Sequence, residues 1–161
     1  MEENDMPIDI LKSMPIDEIC SIKKPSLAVD AIVMKEDKYL LIKRKNPPYG
    51  WALPGGFVDY GETVENALMR ELREETSLNA DSIKLFEVAS DPKRDSRFHT
   101  VSLIYEVPIW HGEAQAADDA KELGWFTIKE IDKMDIAFDH KDILVNRYLK
   151  SWLRLCGDLN D

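Results

Sequence analysis

Glu71, Glu74 and Glu75 stand at i, i+3 and i+4 in a stretch with helical periodicity. That spacing puts three carboxylates on one helix face, within reach of each other. Like charges there repel, and the relief from Arg70, at i+4 to Glu74, and from nearby Arg73 is partial. A cluster of hard oxygen ligands suits Mg²⁺ or Mn²⁺. Just upstream, Leu53-Pro54-Gly55-Gly56 offers backbone that a ligand can approach closely, because glycine has no side chain in the way. From spacing alone, such a cluster usually means a solvated Glu-rich face. A second polar stretch, Asp91-Pro92-Lys93-Arg94-Asp95-Ser96-Arg97, mixes three basic and two acidic side chains and by itself reads as a surface loop. Asp139-His140 suggests acid–base chemistry, but a helix cap at Asp139 with His140 in the first turn is the simpler expectation. His99 on a strand and His111 near a turn have no Cys, His or Glu partner at zinc-ligand spacing.

Several elements must position these groups. Residues 62–76 read as a helix with Val64, Leu68 and Leu72 on one stripe, joined by Ala67; Glu62 falls in its first turn, where a carboxylate suits the positive end of the dipole. The apolar run Leu27–Met34 reads as a buried strand, Glu36-Asp37-Lys38 as a turn and Tyr39–Lys43 as its hairpin partner. Trp51-Ala52-Leu53 is short and apolar, and Pro54-Gly55-Gly56 breaks it. Strands are expected at about 83–89, 98–107 and 122–126, a loop at 112–120 and a helical turn at 128–134. A last helix over 141–155 carries Leu144, Tyr148, Trp152 and Leu155 on one face. Strands and helices in mixed order predict a layered α/β sandwich. Residues 1–26, interrupted by Pro7, Pro15 and Pro25, read as an arm that packs on the domain or on a second subunit.

The 161-residue chain is one domain's worth of sequence. Twenty-one basic against 31 acidic residues give a net charge of −10. That argues against nucleic-acid or anionic-membrane partners, which want a basic surface, and a small anionic substrate would need cations supplied locally. Cys20 and Cys156 match no metal or redox spacing and read as idle thiols in a reducing compartment. No apolar run reaches membrane-spanning length, and the acidic start (Glu2, Glu3, Asp5) is the opposite of a signal peptide, so a cytoplasmic protein is expected.

Counting the partners of the carboxylate cluster makes it specific. Gly56, five residues, Glu62, seven residues, Arg70-Glu71-Leu72, one residue, Glu74-Glu75, one residue and Ser77-Leu78 together resemble the Nudix box, the signature of the Nudix hydrolase family. One position departs: Ser77 stands where the family has Gly, at the helix end, where a left-handed residue is expected. The resemblance runs from about residue 27 to the end, leaving 1–26 outside, and implies an α/β/α sandwich around a mixed β-sheet. It implies hydrolysis of a nucleoside diphosphate linked to another group. Glu71, Glu74, Glu75 and the carbonyl of Gly56 would hold Mg²⁺ or Mn²⁺, with Glu62 and Arg70 orienting the metal-binding carboxylates. The base that takes the water's proton is either a box residue, Glu71 or Glu74, or a loop acid, Asp118, Asp119 or Glu122. Arg44 sits where many relatives hold a phosphate-facing Arg; Lys43 and Lys45 read as a solvated strand end.

The 91–97 segment resembles the Asp-Pro-x-Arg-Asp-x-Arg stretch of the ADP-ribose pyrophosphatase subgroup, as do Leu53–Thr63 and Ala137-Phe138-Asp139-His140. The implied reaction is ADP-ribose plus water giving AMP and ribose 5-phosphate. Arg94 and Arg97 become candidates for diphosphate or ribose contacts, Gly55 for close backbone approach, and Phe98, Tyr49 or Trp51 for stacking on adenine, with core packing the simpler role for each aromatic. The alternatives are a clean-up hydrolase for oxidised or non-standard dNTPs and a non-catalytic ligand sensor. Relatives of the subgroup are often dimers, and the arm could serve that purpose.

Overall fold

Strand β1 (Ser26–Lys35) sits at the centre of the protein, and its residues alternate between two cores. Val29, Ala31 and Val33 enter one cluster and Ile32 the other, which is why the run is apolar at successive positions rather than at every second one. The computed structural model describes residues 24–116 and 120–156. The arm up to residue 23 with Cys20, the loop acids Asp118 and Asp119, and the side chains of Trp152 and Leu155 lie outside the described residues.

The remaining strands are β2 (Lys38–Arg44), β3 (Trp51–Ala52), β4 (Gly55–Phe57), β5 (Asn79–Ala89), β6 (Thr100–His111) and β7 (Ala120–Thr127). They form a mixed sheet in the order β3-β2-β1-β6-β5, with β4 on β1 and β7 on β2. β1 runs parallel to β6, from Ser26 opposite Thr100 to Val33 opposite Val107, and antiparallel to β4, with Val29 opposite Gly56 and Asp30 opposite Gly55. The Gly-Gly pair is thereby held against the middle of the central strand.

Helix α1 (Val64–Thr76) covers one face, burying Ala67, Leu68 and Leu72 against Val29, Ala31, Val33 and Leu40. Burying a Leu side chain contributes roughly 2 kcal/mol. Thr63 caps α1 by accepting the Asn66 N–H at 3.2 Å. Ser77 closes it in the left-handed conformation, φ +64°, with its N–H on the Arg73 carbonyl at 2.9 Å. The other face is covered by α2 (Ile128–Ile131), α3 (His140–Asp142), a π-helical segment (Ile143–Tyr148) and α4 (Leu149–Cys156). Ile131, Ile143, Leu144 and Tyr148 pack there on Ile32, Leu41, Leu53 and Ile104. Among the described residues no helix is long and apolar enough to cross a membrane.

Three differences from the sequence expectation have physical reasons. The first helix begins at Val64, so Glu62 precedes the cap and is free to fold back on the helix. The strand expected at 83–89 starts earlier, at Asn79–Ala89, and that expected at 98–107 is shifted to Thr100–His111. β5 takes polar residues because it pairs along one side only and carries three register irregularities. The single last helix is interrupted by a π-helical stretch, where the Leu149 N–H reaches back to the Leu144 carbonyl.

Candidate active site

Arg70 on α1 is the hub of the carboxylate cluster. Its Nε and Nη2 donate to the two oxygens of Glu62 at 3.0 and 2.9 Å, and Nη2 also donates to the Phe57 carbonyl at 3.0 Å. Nη1 donates to Glu71 Oε1 at 2.7 Å and to Glu74 Oε2 at 3.3 Å. Glu62 in turn accepts the Asp59 N–H at 3.2 Å. The chain between β4 and α1 is thus clipped to the helix through one guanidinium, and a bidentate Arg–carboxylate pair fixes orientation as well as charge. The Arg70 bonds hold the Glu62 carboxyl below its ordinary range.

The glycines bring backbone to the same place. A Cβ at Gly56 would stand 2.4 Å from the Glu71 carboxylate, and one at Gly55 would stand 2.1 Å from the Val29 carbonyl oxygen. The Gly55 N–H donates to Glu75 Oε2 at 2.8 Å. Glu75 is buried, and burial pushes its carboxyl up to about 8, against the Gly55 hydrogen bond and with help from the neighbouring Glu71 and Asp30 charges. Burial also raises Glu71, against the pull of Arg70.

Glu71 and Glu75 open onto a cleft whose further walls are Asp30, Arg44, Arg97, Phe138 and His140. Glu74 does not line it; its half-exposed side chain stays on Arg70. Arg44 lies over the Phe138 ring at 4.8 Å, with Nε donating to the Pro48 carbonyl at 2.8 Å. Arg97 is braced by Asp95 at 3.0 and 2.8 Å and lies over Phe98 at 5.0 Å and Phe138 at 5.5 Å. Arg94 reaches the cleft wall, but its buried guanidinium is tied to Asp139 by bonds of 3.2, 3.2 and 2.8 Å and stands 3.8 Å from Asp30. It is first of all an ion-pair partner.

Other sequence candidates fall elsewhere. Asp139 occupies the position before α3 but makes no side-chain cap there; it serves Arg94, with Arg147 3.5 Å away. Glu122 pairs with Lys43 at 3.6 Å, and its neighbour in register points away from the sheet face that carries Ile42 and Arg44. The structure therefore does not bring Glu122 into the cleft. Phe98 is exposed beside Phe57, ring centroids 5.8 Å apart, just outside the cleft lining. Trp51 packs on Phe126 at 4.7 Å and belongs to the core, and Tyr49 is exposed. His99 precedes β6 rather than lying on it, and His111 faces Asp81 at 2.8 Å.

The lining also includes Asp30, Phe138 and His140, outside the residues the sequence points to, and Lys45, which the sequence reads as a solvated strand end. Asp30 was hidden inside an apolar run. Its charge in a strand buried on both faces was the available signal, because such a charge is costly unless paired. Phe138 and His140 stood in a motif but were not placed in the cleft, because no local pattern shows which way the turn before α3 faces. Among the described residues no three acidic, His or Cys side chains already converge as a metal cage. The donor set nevertheless fits a hard divalent cation: Glu71 and Glu75 are desolvated, mutually repelling oxygen donors beside a backbone with no Cβ in the way.

Comparisons with known proteins agree with this arrangement. The NUDIX domain family model matches residues 24–146. An ADP-ribose pyrophosphatase of Methanocaldococcus jannaschii is 48% identical over 122 residues, covering 74% of this chain and 71% of that protein. The NUDIX domain of Shewanella oneidensis NrtR, solved in complex with ADP ribose, superposes with a TM-score of 0.75 at 25% identity, covering 94% of this chain and 99% of that one. A bifunctional NMN adenylyltransferase/ADP ribose pyrophosphatase of Francisella tularensis, solved with AMP and a Mn ion, gives a TM-score of 0.67 at 31% identity over 88% of this chain and 45% of that one. With the family model spanning the sheet, the box helix and the start of the last helical run, the chain belongs to the Nudix family.

Proposed function

We propose that this Nudix hydrolase cleaves ADP-ribose to AMP and ribose 5-phosphate, using Mg²⁺. The observation that carries the reading is the cleft itself, which two desolvated carboxylates, Glu71 and Glu75, line together with Arg44, Arg97 and the Gly-Gly backbone. Carboxylates and guanidinium groups in one cleft suit a diphosphate that arrives with a divalent cation. The similarity to the Methanocaldococcus enzyme supports the substrate, and the Mn ion in the Francisella structure supports a divalent metal.

Glu71, Glu74, Glu75 and the Gly56 carbonyl would hold the metal. When bound, it neutralises charge at phosphorus and acidifies a bound water. Glu62 and Arg70 hold Glu71 and Glu74 in place; releasing either carboxylate from Arg70 Nη1 frees oxygen lone pairs for the cation. Arg44 and Arg97 take phosphate oxygens, and the braces on Pro48 and Asp95 limit the rotamer freedom lost on binding. Glu71 in the cleft and Glu74 beside it on α1 are the candidate bases, with Asp118 and Asp119 as the loop alternatives. A cytoplasmic, homodimeric enzyme with a small nucleotide substrate, no nucleic-acid or membrane partner and 1–26 as a separate arm completes the proposal.

The test is AMP release from ADP-ribose with Mg²⁺ and with EDTA, beside a panel of dNTPs and nucleotide sugars. EDTA-sensitive release from ADP-ribose is expected. Activity only on dNTPs would replace the substrate with the clean-up alternative, and tight binding without turnover would make the chain a sensor.

A further inference from the structure

Phe138 holds a backbone conformation that a bulky residue rarely adopts, left-handed at φ +58°. Such strain persists only where the surroundings impose it. Here both sides of the residue are fastened. The Ala137 N–H donates to the Trp51 carbonyl at 2.8 Å, while Asp139 accepts from Arg94 at 2.8 Å and His140 Nδ1 accepts the Leu53 N–H at 3.0 Å. Glycine or asparagine would take this turn at less cost. Nor does interior packing explain the phenylalanine: its ring belongs to neither hydrophobic core and lies half-buried in the cleft wall.

What the ring meets is charge. The Arg44 guanidinium lies over it at 4.8 Å and that of Arg97 at 5.5 Å. The two cations repel: burial holds the Arg44 guanidinium below its usual range, and the Arg97 charge adds to that effect. An aromatic face attracts a cation through its quadrupole, more strongly where water is excluded. One ring in contact with both guanidinium groups therefore offsets part of their repulsion and limits their orientations. The two arginines do not depend on it equally. Arg97 also lies over Phe98 at 5.0 Å and Phe57 at 6.0 Å and is braced by the Asp95 carboxylate. Arg44 donates to the Pro48 and Pro47 carbonyls at 2.8 and 3.4 Å, and the Glu75, Asp30 and Asp95 charges act on it at a distance. Among the described residues, Phe138 is the aromatic ring under Arg44.

We propose that Phe138 is a positioning residue: its ring holds Arg44, and to a lesser degree Arg97, in the geometry that receives the diphosphate, and the left-handed turn at 138 brings the ring to them. The inference rests on the ADP-ribose reading above and adds a residue that acts through the arginines rather than on the substrate.

Steady-state kinetics on ADP-ribose with Mg²⁺, beside thermal denaturation, tests it in Phe138→Asn, Phe138→Tyr, Arg44→Ala and the double variant. Asparagine takes the left-handed conformation readily but has no ring. Phe138→Asn should therefore keep a melting temperature within about 3 °C of the wild type's. Its KM should rise about tenfold with kcat within about threefold, the size expected of a partly desolvated cation–ring contact. Phe138→Tyr keeps the ring and should stay within about twofold of the wild-type KM. Adding Phe138→Asn to Arg44→Ala should raise KM by no more than about twofold, because the group it chiefly positions is gone. A merely structural role predicts otherwise: a lowered melting temperature with KM unchanged, or the same KM loss with and without Arg44. Either result would overturn the proposal. Phe138→Leu carries the same comparison if Phe138→Asn fails to fold. Wild-type silence on ADP-ribose would overturn the proposed function and this inference with it. Wild-type turnover with an unchanged KM in Phe138→Asn would overturn the inference alone.

Discussion

Glu75 loses most of its water on folding, and its carboxyl is pushed from the ordinary 4.5 up to about 8. Between those values the folded, metal-free protein keeps a proton that the unfolded chain has already released. Stability is therefore fully present below about 4.5 and falls as pH rises toward 8. Glu75→Gln removes the titrating group, so its metal-free melting temperature should vary less with pH across that window than the wild type's, as read by thermal denaturation in EDTA. The same variant, like Glu74→Gln, should lower Mg²⁺-dependent turnover by roughly a hundredfold or more while the circular dichroism spectrum is kept, because an oxygen ligand is lost from the cluster. Near-wild-type rates in both would remove the carboxylates from the proposed metal site. Ser77 offers an independent check. It holds φ +64°, where glycine is at ease and a side chain is not. Ser77→Gly should stabilise the protein by about 1 kcal/mol, raising the melting temperature by about 3 °C.

At the scale of elements, the loop between β5 and β6 is fastened to the start of the last helical run by Arg94 and Asp139. The Arg94 side chain is 3% exposed and that of Asp139 is 20% exposed. Removing one partner strands a buried charge, so Asp139→Ala should cost about 3 kcal/mol in urea denaturation, and the uncharged mimic Asp139→Asn should cost less. A loss below about 1 kcal/mol would mean that water already reaches the pair. How much of these elements was legible depended on the kind of signal. The stripe Val64, Leu68, Leu72 marks α1 because one side of that helix is buried and the other is wet. The Leu144–Tyr148 spacing suits an α- or a π-winding equally, so periodicity could not separate them. The outer ends of β5 and β6 were missed because pairing between backbones, not burial of side chains, extends them.

For the whole molecule, the decisive charge balance is local. A chain of net charge −10 closes a cleft around Glu71 and Glu75 with only a few guanidinium groups nearby. A divalent cation that binds the folded state and not the unfolded one stabilises by mass action, and it must displace the Glu75 proton to bind. Mg²⁺ or Mn²⁺ should therefore raise the melting temperature, more at pH 8 than at pH 6, and EDTA should reverse the rise. No shift at either pH would count against a metal at this site.

The sequence by itself determined the chemistry of the α1 face and the elements that carry it. Its signals are local: carboxylates at helical spacing, two glycines that keep Cβ atoms out of the way, and apolar residues at successive positions, broken by Asp30, of a doubly covered strand. Only the tertiary structure decided which groups share the cleft. Asp30 and His140 are more than a hundred residues apart and meet because β1 runs beneath the turn that starts α3. Glu122 leaves the cleft because its register on β7 points it to the opposite face. Arg94 is drawn from the expected substrate role into an ion pair because a buried guanidinium needs a carboxylate more than a solvated one does. Contacts of that kind depend on which faces meet, and spacing along the chain carries no record of it.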